Sequence, residues 1–184
     1  MHRLYYLRRM TKNRIVNLRT FRALARTNRA RYRRFLTKLE NGPKRGIGAI
    51  VAATEKKVWK EVDCLSCANC CKTMTPTFTK TDVNRIAKHL DMTPDAFRAK
   101  WLKQDRGGDR DWVNKKQGPC QFLNLKDNKC SIYAVRPADC SGFPHLAKDF
   151  HDFVHIHKQN VEYCPASYKL VEKMYESQHD FVKS

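Results

Sequence analysis

The sequence predicts a mostly helical α+β fold, with a short β-hairpin in the body of the chain and a basic helix in front of it. Three observations lead to this prediction. Apolar residues recur at intervals of three and four in several segments, which is the period of an amphipathic helix. Two short apolar runs flank a polar turn after residue 118, as in a hairpin. All eight cysteines follow residue 63, whereas positive charge is concentrated before it.

The distribution of charge divides the chain near residue 60. The first sixty residues contain eighteen Lys and Arg against two acids, so they contribute +16 to the formal net charge of +19. The rest of the chain is nearly neutral. A chain of 184 residues with 41% apolar content suffices for one domain and an extension. We therefore predict a basic helical N-terminal extension over residues 1–62 and a cysteine-rich domain over residues 63–184.

The basic extension contains a predicted amphipathic helix from Thr11 to Leu39. The face opposite its apolar residues is rich in arginine and poor in acids. Clustered guanidinium groups release counterions when they bind phosphates, so residues 1–45 offer a candidate surface for nucleic acid or another anionic partner. A solvated face of a helix packed on the body is the alternative. The candidate nucleic-acid contacts are Arg22, Arg26, Arg29 and Arg33.

Three further helices are predicted before residue 103. The first spans Ile50 to Val62 and leads into the first cysteine. The second begins at Lys80-Thr81-Asp82. The third begins at Thr93-Pro94-Asp95, where a threonine N-cap, a proline in the first turn and an early acid are typical of a helix start. We interpret Asp82 and Asp95 as helix-capping carboxylates; acids close to a metal are the alternative.

The next segment is predicted to be irregular and then to form the hairpin. Residues 104–118 are polar and charged, so we expect a mobile loop that covers a site or connects elements. Residues 118–125 and 129–133 are typical of two short strands around a polar turn. Such a hairpin would bring Cys120 and Cys130 together.

The last part of the chain contains three predicted elements. Residues 136–140, with the sequence R-P-A-D-C, indicate a short helical turn. His151, His155 and His157 lie at alternate positions, so they would share one face of a strand. We interpret this segment as an exposed edge strand, and a second metal site is the alternative. A helix is predicted after Cys164-Pro165.

The cysteines have the spacing of metal ligands. The stretch from Cys64 to Cys71 has the pattern C-x2-C-x2-C-C. Two cysteines separated by two residues can direct both sulfurs at one ion, while distant segments supply further ligands. The pattern therefore predicts a metal-stabilised domain with zinc or iron as cofactor, the iron either as an ion or in an iron–sulfur cluster. The candidate metal ligands are Cys64, Cys67, Cys70, Cys71, Cys120, Cys130, Cys140 and Cys164.

The sequence leaves open how these thiols are shared. They divide into two tetrahedral four-thiolate sites, or into one site and four spectators. Adjacent Cys70 and Cys71 are expected to serve different ions or a cluster, because both sulfurs reach one ion only with strain. Arg136 is interpreted as a clamp on a backbone or carboxylate group that also offsets thiolate charge, with anion binding as the alternative. Tyr133 is a candidate for the same supporting or anion-binding roles.

These motifs resemble the CxxCxxCC (YkgJ-like) family, described as a zinc- or iron-chelating domain. The resemblance covers about residues 63–164: the C-x2-C-x2-C-C pattern, then Gly118-Pro119-Cys120, then Cys130 to Cys140 with the sequence C-S-I-Y-A-V-R-P-A-D-C. It implies metal chelation. Some members are linked to flagellin lysine N-methylation, so the resemblance also implies that the scaffold can host an enzyme. Many members carry glycine where this chain has Ala68-Asn69, before the paired cysteines.

The leading hypothesis is therefore a metal-binding protein. One alternative is an iron or iron–sulfur dependent modifying enzyme related to protein methylation, although no separate cofactor motif such as G-x-G-x-x-G supports catalysis. Another is a zinc-scaffolded nucleic-acid-binding protein that uses the arginine-rich helix. The start of the sequence lacks the apolar run of a secretory signal, and no run is long enough for a membrane span, so we expect a cytoplasmic location. A mitochondrial transit peptide is the alternative for the arginine-rich start.

Overall fold

The computed structural model describes residues 16–105, 111–146 and 149–181. These residues form a mostly helical α+β arrangement with a small antiparallel sheet, which confirms the predicted fold class. The helices are α1 (Leu18–Glu40), α2 (Ile47–Glu61), α3 (Cys64–Cys67), α4 (Asn69–Thr73), α5 (Lys80–His89), α6 (Pro94–Trp101), α7 (Ala138–Gly142), α8 (Val154–Tyr163) and α9 (Pro165–Phe181). The strands are β1 (Thr77–Phe78), β2 (Leu102–Gln104) and β3 (Trp112–Asn114), and a 3₁₀ turn spans Tyr133–Val135.

The chain divides into two compact units. The helical unit comprises the described residues up to Cys67 and those from Pro144 onward, and the cysteine unit comprises Ala68–Phe143. The predicted domain boundary at residue 62 stays a prediction. The two units meet along the chain after Cys67 and after Phe143. In the described ranges, no helix has both the length and the apolar character that a membrane span requires.

The helical unit is built on an amphipathic α1. Asn17 caps this helix by accepting a hydrogen bond from the amide of Thr20, so the helix begins at Leu18. The predicted start at Thr11 lies outside the described residues. One face of α1 is buried, and the helix packs on α8 and α9, while α9 also packs on α2. Aromatic contacts fill this core between Phe21, Tyr32 and Phe35 of α1 and Tyr168 and Tyr175 of α9.

The cysteine unit has its own core. Helices α5 and α6 form the predicted helical hairpin, each started by a threonine cap, Thr79 and Thr93. The sheet has the order β1-β3-β2, with both pairs antiparallel. The core side chains of this unit are Phe78, Val83, Ile86, Ala87, Phe97, Leu102, Phe122 and Ile132, and Cys120 and Cys130 pack against them.

Two expectations for the cysteine unit are wrong in part. The described part of residues 104–118 contains a strand rather than only a loop, because Trp112–Asn114 pairs with both β1 and β2. Residues 106–110 of the predicted loop lie outside the described residues. The expected hairpin at residues 118–133 is reduced to one isolated bridge, between Leu123 and Cys130. One reason is that the amide of Cys120 donates to the carbonyl of Cys71 and not to a residue of the other predicted strand, residues 129–133.

The predicted histidine strand is also wrong. The chain turns at residues 149–153 and then forms α8, so His155 and His157 lie on a helix and His151 lies before it. The helix places Val154, His157 and Val161 at intervals of three and four, and all three side chains are buried. Burial of this helical face outweighs the alternating pattern of the sequence.

Candidate metal centre

Four cysteines of the cysteine unit come from four separate segments. Cys71 lies on α4, Cys120 precedes the isolated bridge, Cys130 forms it, and Cys140 lies on α7. Backbone hydrogen bonds hold the first three segments: Cys120 N donates to Cys71 O at 2.7 Å, and Ser131 N donates to Phe122 O at 2.8 Å. We call Cys71, Cys120, Cys130 and Cys140 the thiol cluster.

Electrostatic interactions connect all members of the thiol cluster. Burial, followed by repulsion from Cys71, Asp139, Cys120 and Cys130, raises the pKa of Cys140 to about 12. Burial also raises the pKa of Cys120 and that of Cys130, and in both cases the charge of Cys71 adds to the effect. Four half-buried thiols thus lie within electrostatic range of one another, which is the environment that a bound cation stabilises.

The pKa of Cys71 is raised as well, first by its hydrogen bond with Cys70 and then by burial. The two sulfur atoms are 3.9 Å apart. Sulfurs on one tetrahedral zinc ion are about 3.8 Å apart, given a Zn–S distance near 2.3 Å. This separation is close to that of two ligands of one ion. The expectation that the adjacent thiols serve different ions or a cluster stays a prediction.

The side chains of the thiol cluster lie near one another, but their sulfur atoms do not surround a common centre. Among the residues that the structure describes, no three Cys, His, Asp or Glu side chains already have the arrangement needed to hold a metal ion. The donor set nevertheless fits a soft ion, because four thiolates are the ligands that zinc and iron accept in tetrahedral sites. Binding would then require the sulfurs to turn toward one another.

Two carboxylates fix the segment that carries Cys140. Asp82 accepts a hydrogen bond from the amide of Ala138 at 3.1 Å, while it also accepts bonds from Thr79 and Arg85. Asp139 accepts hydrogen bonds from the amide and hydroxyl of Thr77 at 3.0 and 3.3 Å. Helix α7 has only five residues, so these contacts with α5 and β1 supply the support that its own length does not.

Asp82 is thus a helix-capping carboxylate, as predicted, with a second role that the sequence did not indicate. The helix start was predicted at Lys80-Thr81-Asp82, and the structure adds Thr79 as the N-cap that forms a capping box with Asp82. The contact with Ala138 spans 56 residues of sequence and has no local signal. Asp139 was missed for the same reason, since its partner Thr77 is 62 residues away.

Arg136 and Tyr133 form a local contact beside the thiol cluster. The Arg136 guanidinium lies 4.0 Å from the centre of the Tyr133 ring and donates to the Tyr133 carbonyl at 2.8 Å. Its charge partly offsets the burial that raises the pKa of Cys130. The Arg136 carbonyl in turn accepts a hydrogen bond from Arg85 at 2.9 Å. These contacts match the backbone-clamp interpretation of Arg136.

The other cysteines lie apart from the thiol cluster in different ways. Cys70 is adjacent to Cys71 in α4. Cys64, Cys67 and Cys164 belong to the helical unit, where Cys64 is exposed and the other two are buried. Burial raises the pKa of Cys164, and the charge of Cys67 contributes to the rise, so these two thiols are neighbours. The eight cysteines are thus distributed over both units.

The histidines do not assemble into a second centre in the described residues. His157 is fully buried, stacks on Phe150 at 4.7 Å between ring centres and has no hydrogen-bond partner on either nitrogen. Burial, with smaller effects of His145 and His155, lowers its pKa to about 4. His157 is therefore a neutral core side chain near pH 7.

The four candidate nucleic-acid contacts lie on the solvent-exposed side of α1. Arg22, Arg26, Arg29 and Arg33 are all exposed. Two of them form ion pairs with Glu162 of α8, Arg29 at 2.8 Å and Arg33 at 3.5 Å. The two arginine side chains are about half exposed, whereas that of Glu162 is 22% exposed.

The cysteine unit has its own core and carries the thiol cluster. These features place the protein in the class of cysteine-rich metal-binding proteins. The family comparison agrees, since residues 63–165 match the family described as "CxxCxxCC: Putative zinc- or iron-chelating domain". This match covers more than half of the chain, and the protein belongs to the CxxCxxCC family. Comparisons with curated proteins and with solved structures gave no match.

Proposed function

We propose that this protein binds one zinc or iron ion through the thiol cluster of its cysteine unit. The observation that supports this function best is that backbone hydrogen bonds join the segments of Cys71, Cys120 and Cys130. Cys140 lies within electrostatic range of these three thiols. A chance set of cysteines would scatter over the surface of the unit. Here, Cys120 and Cys130 pack against the core and Cys140 is anchored by Asp82 and Asp139.

The function of the ion in this proposal is structural. Four protein thiolates complete a tetrahedron and leave no position for water or substrate, as in structural zinc sites. The free energy of binding then stabilises the folded unit, with apparent values of about 10 kcal/mol or more in small zinc peptides. An iron–sulfur cluster uses the same four thiolates, so the ligand set is common to both metals.

The remaining cysteines lie outside this primary site in our proposal. Cys64, Cys67 and Cys164 provide three thiols in the helical unit, one fewer than a closed tetrahedral thiolate site needs. Cys70 is left out because both sulfurs of an adjacent pair reach one ion only with strain, and Cys71 with the three thiols of the other segments already completes a tetrahedral set. The expected stoichiometry is therefore one ion per chain.

A reducing compartment, such as the cytoplasm, fits this use of the cysteines. All eight are free thiols in the structure. Free thiols in this number persist as metal ligands only where disulfide formation is disfavoured.

The ligand set can be tested on the full chain purified without oxygen. Elemental analysis and an absorption spectrum identify the metal: a colourless protein with about one zinc, or a coloured protein with iron absorbing near 400 nm. We expect Cys120→Ser, Cys130→Ser and Cys140→Ser each to lower metal content several-fold, because each change removes one ligand. Cys71→Ser should have the same effect.

Cys64→Ser is the matched control, since Cys64 belongs to the same motif but is exposed and lies in the helical unit. It should retain the metal of the unaltered protein. Equal loss of metal in Cys64→Ser and Cys140→Ser would contradict the proposed ligand set. Folded protein that binds neither metal would contradict the function itself.

A further inference from the structure

Five arginines form a continuous stripe along α1. Arg19, Arg22, Arg26, Arg29 and Arg33 follow one another at alternating intervals of three and four residues, and all five are exposed. At 3.6 residues per turn, these positions fall within an arc of about 80° and extend over about 21 Å of helix. We call these five residues the arginine stripe.

The packing of α1 restricts the kind of anionic partner. A helix that lies on a membrane inserts its apolar face between the lipids. The apolar face of α1 is already buried in the helical unit, including Phe21, Tyr32, Phe35 and Leu36. The stripe therefore offers charge without an accompanying apolar face, which disfavours a lipid surface.

Mostly small side chains lie beside the arginine stripe on α1. The exposed residues on its outer flank are Ala23, Thr27 and Ala30, with Arg34 at the C-terminal end, and the Thr27 hydroxyl donates to the carbonyl of Ala23. Small side chains next to arginines allow a phosphate backbone to approach the helix closely. Bases of a single strand would instead need aromatic side chains for stacking, so this flank favours the backbone of a duplex.

The character of the charge favours phosphates over carboxylates on a protein. Every member of the stripe is arginine, whose planar guanidinium donates two parallel hydrogen bonds to a phosphate. Glu162 pairs with Arg29 and Arg33, at the C-terminal part of the stripe.

We propose that the arginine stripe binds the phosphate backbone of a double-stranded nucleic acid without reading its sequence. This inference is independent of the metal site, because α1 belongs to the helical unit. The contacts would be electrostatic, so the affinity should fall steeply with salt.

The test uses the full chain and a fluorescently labelled 20-base-pair duplex of arbitrary sequence, as DNA and as RNA. Anisotropy titrations from 50 to 300 mM salt give the affinity and its salt slope. The variant Arg19→Gln/Arg22→Gln/Arg26→Gln should bind about tenfold or more weakly at 100 mM salt. Its slope should decrease in magnitude by about 2 to 3, at about 0.9 for each lost phosphate contact.

The matched control is Lys56→Gln/Lys57→Gln/Lys60→Gln, which removes the same charge from exposed positions of α2. It should bind nearly as tightly as the unaltered chain. Equal weakening by both variants would mean that net charge alone drives binding and would overturn the proposal. Absence of duplex binding at 100 mM salt, or stripe-dependent binding to phosphatidylglycerol vesicles in its place, would also overturn it.

Discussion

Asp82 shows how one buried side chain can determine the position of a ligand. Its side chain is only 2% exposed, yet it accepts hydrogen bonds from Thr79, Arg85 and the amide of Ala138. Burial alone would raise the pKa of this carboxyl, but the hydrogen bonds together lower it below the usual value. The ionised form therefore holds α7, and with it Cys140, against α5.

Replacing this carboxylate should therefore weaken both stability and metal binding. We expect Asp82→Asn to lower the free energy of unfolding by about 2 kcal/mol, because charge-assisted hydrogen bonds become neutral ones. Metal affinity should fall with it, since Cys140 loses its anchor. Urea unfolding and a chelator competition measure the two effects. Asp95→Asn is the control: that carboxylate is 88% exposed, so its loss should change little.

The same residue predicts a dependence on pH. A folded-state pKa below the unfolded value means that the Asp82 contribution is fully present above the unfolded value, near 3.8. It is lost progressively as the pH falls through the lower folded-state pKa. Unfolding curves between pH 2.5 and 6 should show a shallower acid loss for Asp82→Asn than for the unaltered chain. Parallel curves would contradict an ionised, buried Asp82.

At the scale of elements, helix signals in the sequence were reliable because they are local. The Thr79–Asp82 capping box and the Thr93-Pro94 start each act within four residues, and both helices begin there. Strand signals were less reliable. Trp112–Asn114 is only three residues long and exists through pairing with β1 and β2, which no local pattern predicts.

The candidate site was predictable in part for the same reason. The identity of the thiols and the family resemblance followed from spacing alone. Their grouping did not, because it depends on long-range bonds such as that between Cys120 and Cys71. The histidine run shows the opposite error, since its alternation suggested a strand while burial of Val154, His157 and Val161 produced a helix.

Ala68 is the N-cap residue just before α4, and its backbone is left-handed, with φ of 46°. This conformation favours glycine and costs other residues about 1 to 2 kcal/mol. We expect Ala68→Gly to keep its metal, because glycine adopts the conformation without strain. Ala68→Val should lose metal, because a β-branched residue is poorly tolerated there and α4 carries Cys71. Elemental analysis of both variants tests this prediction. Equal metal contents in the two variants would contradict it.

At the scale of the whole molecule, the two units should respond differently to removal of the metal. The thiol cluster lies wholly in the cysteine unit, so a chelator should destabilise that unit first. Hydrogen exchange should then accelerate within residues 68–143, including the α5–α6 hairpin. Amides of α1, α8 and α9 should stay protected. Uniform acceleration over both units would show that the metal supports the entire chain instead.

The helical unit is discontinuous in sequence, and this has a consequence for synthesis on the ribosome. Helices α1 and α2 find their partners α8 and α9 only after residues 68–143 have been made. At about 5 to 20 residues per second, that interval lasts roughly 4 to 15 s. The cysteine unit is continuous in sequence, so it can bind its ion before α8 and α9 have been synthesised and can pack with the first two helices.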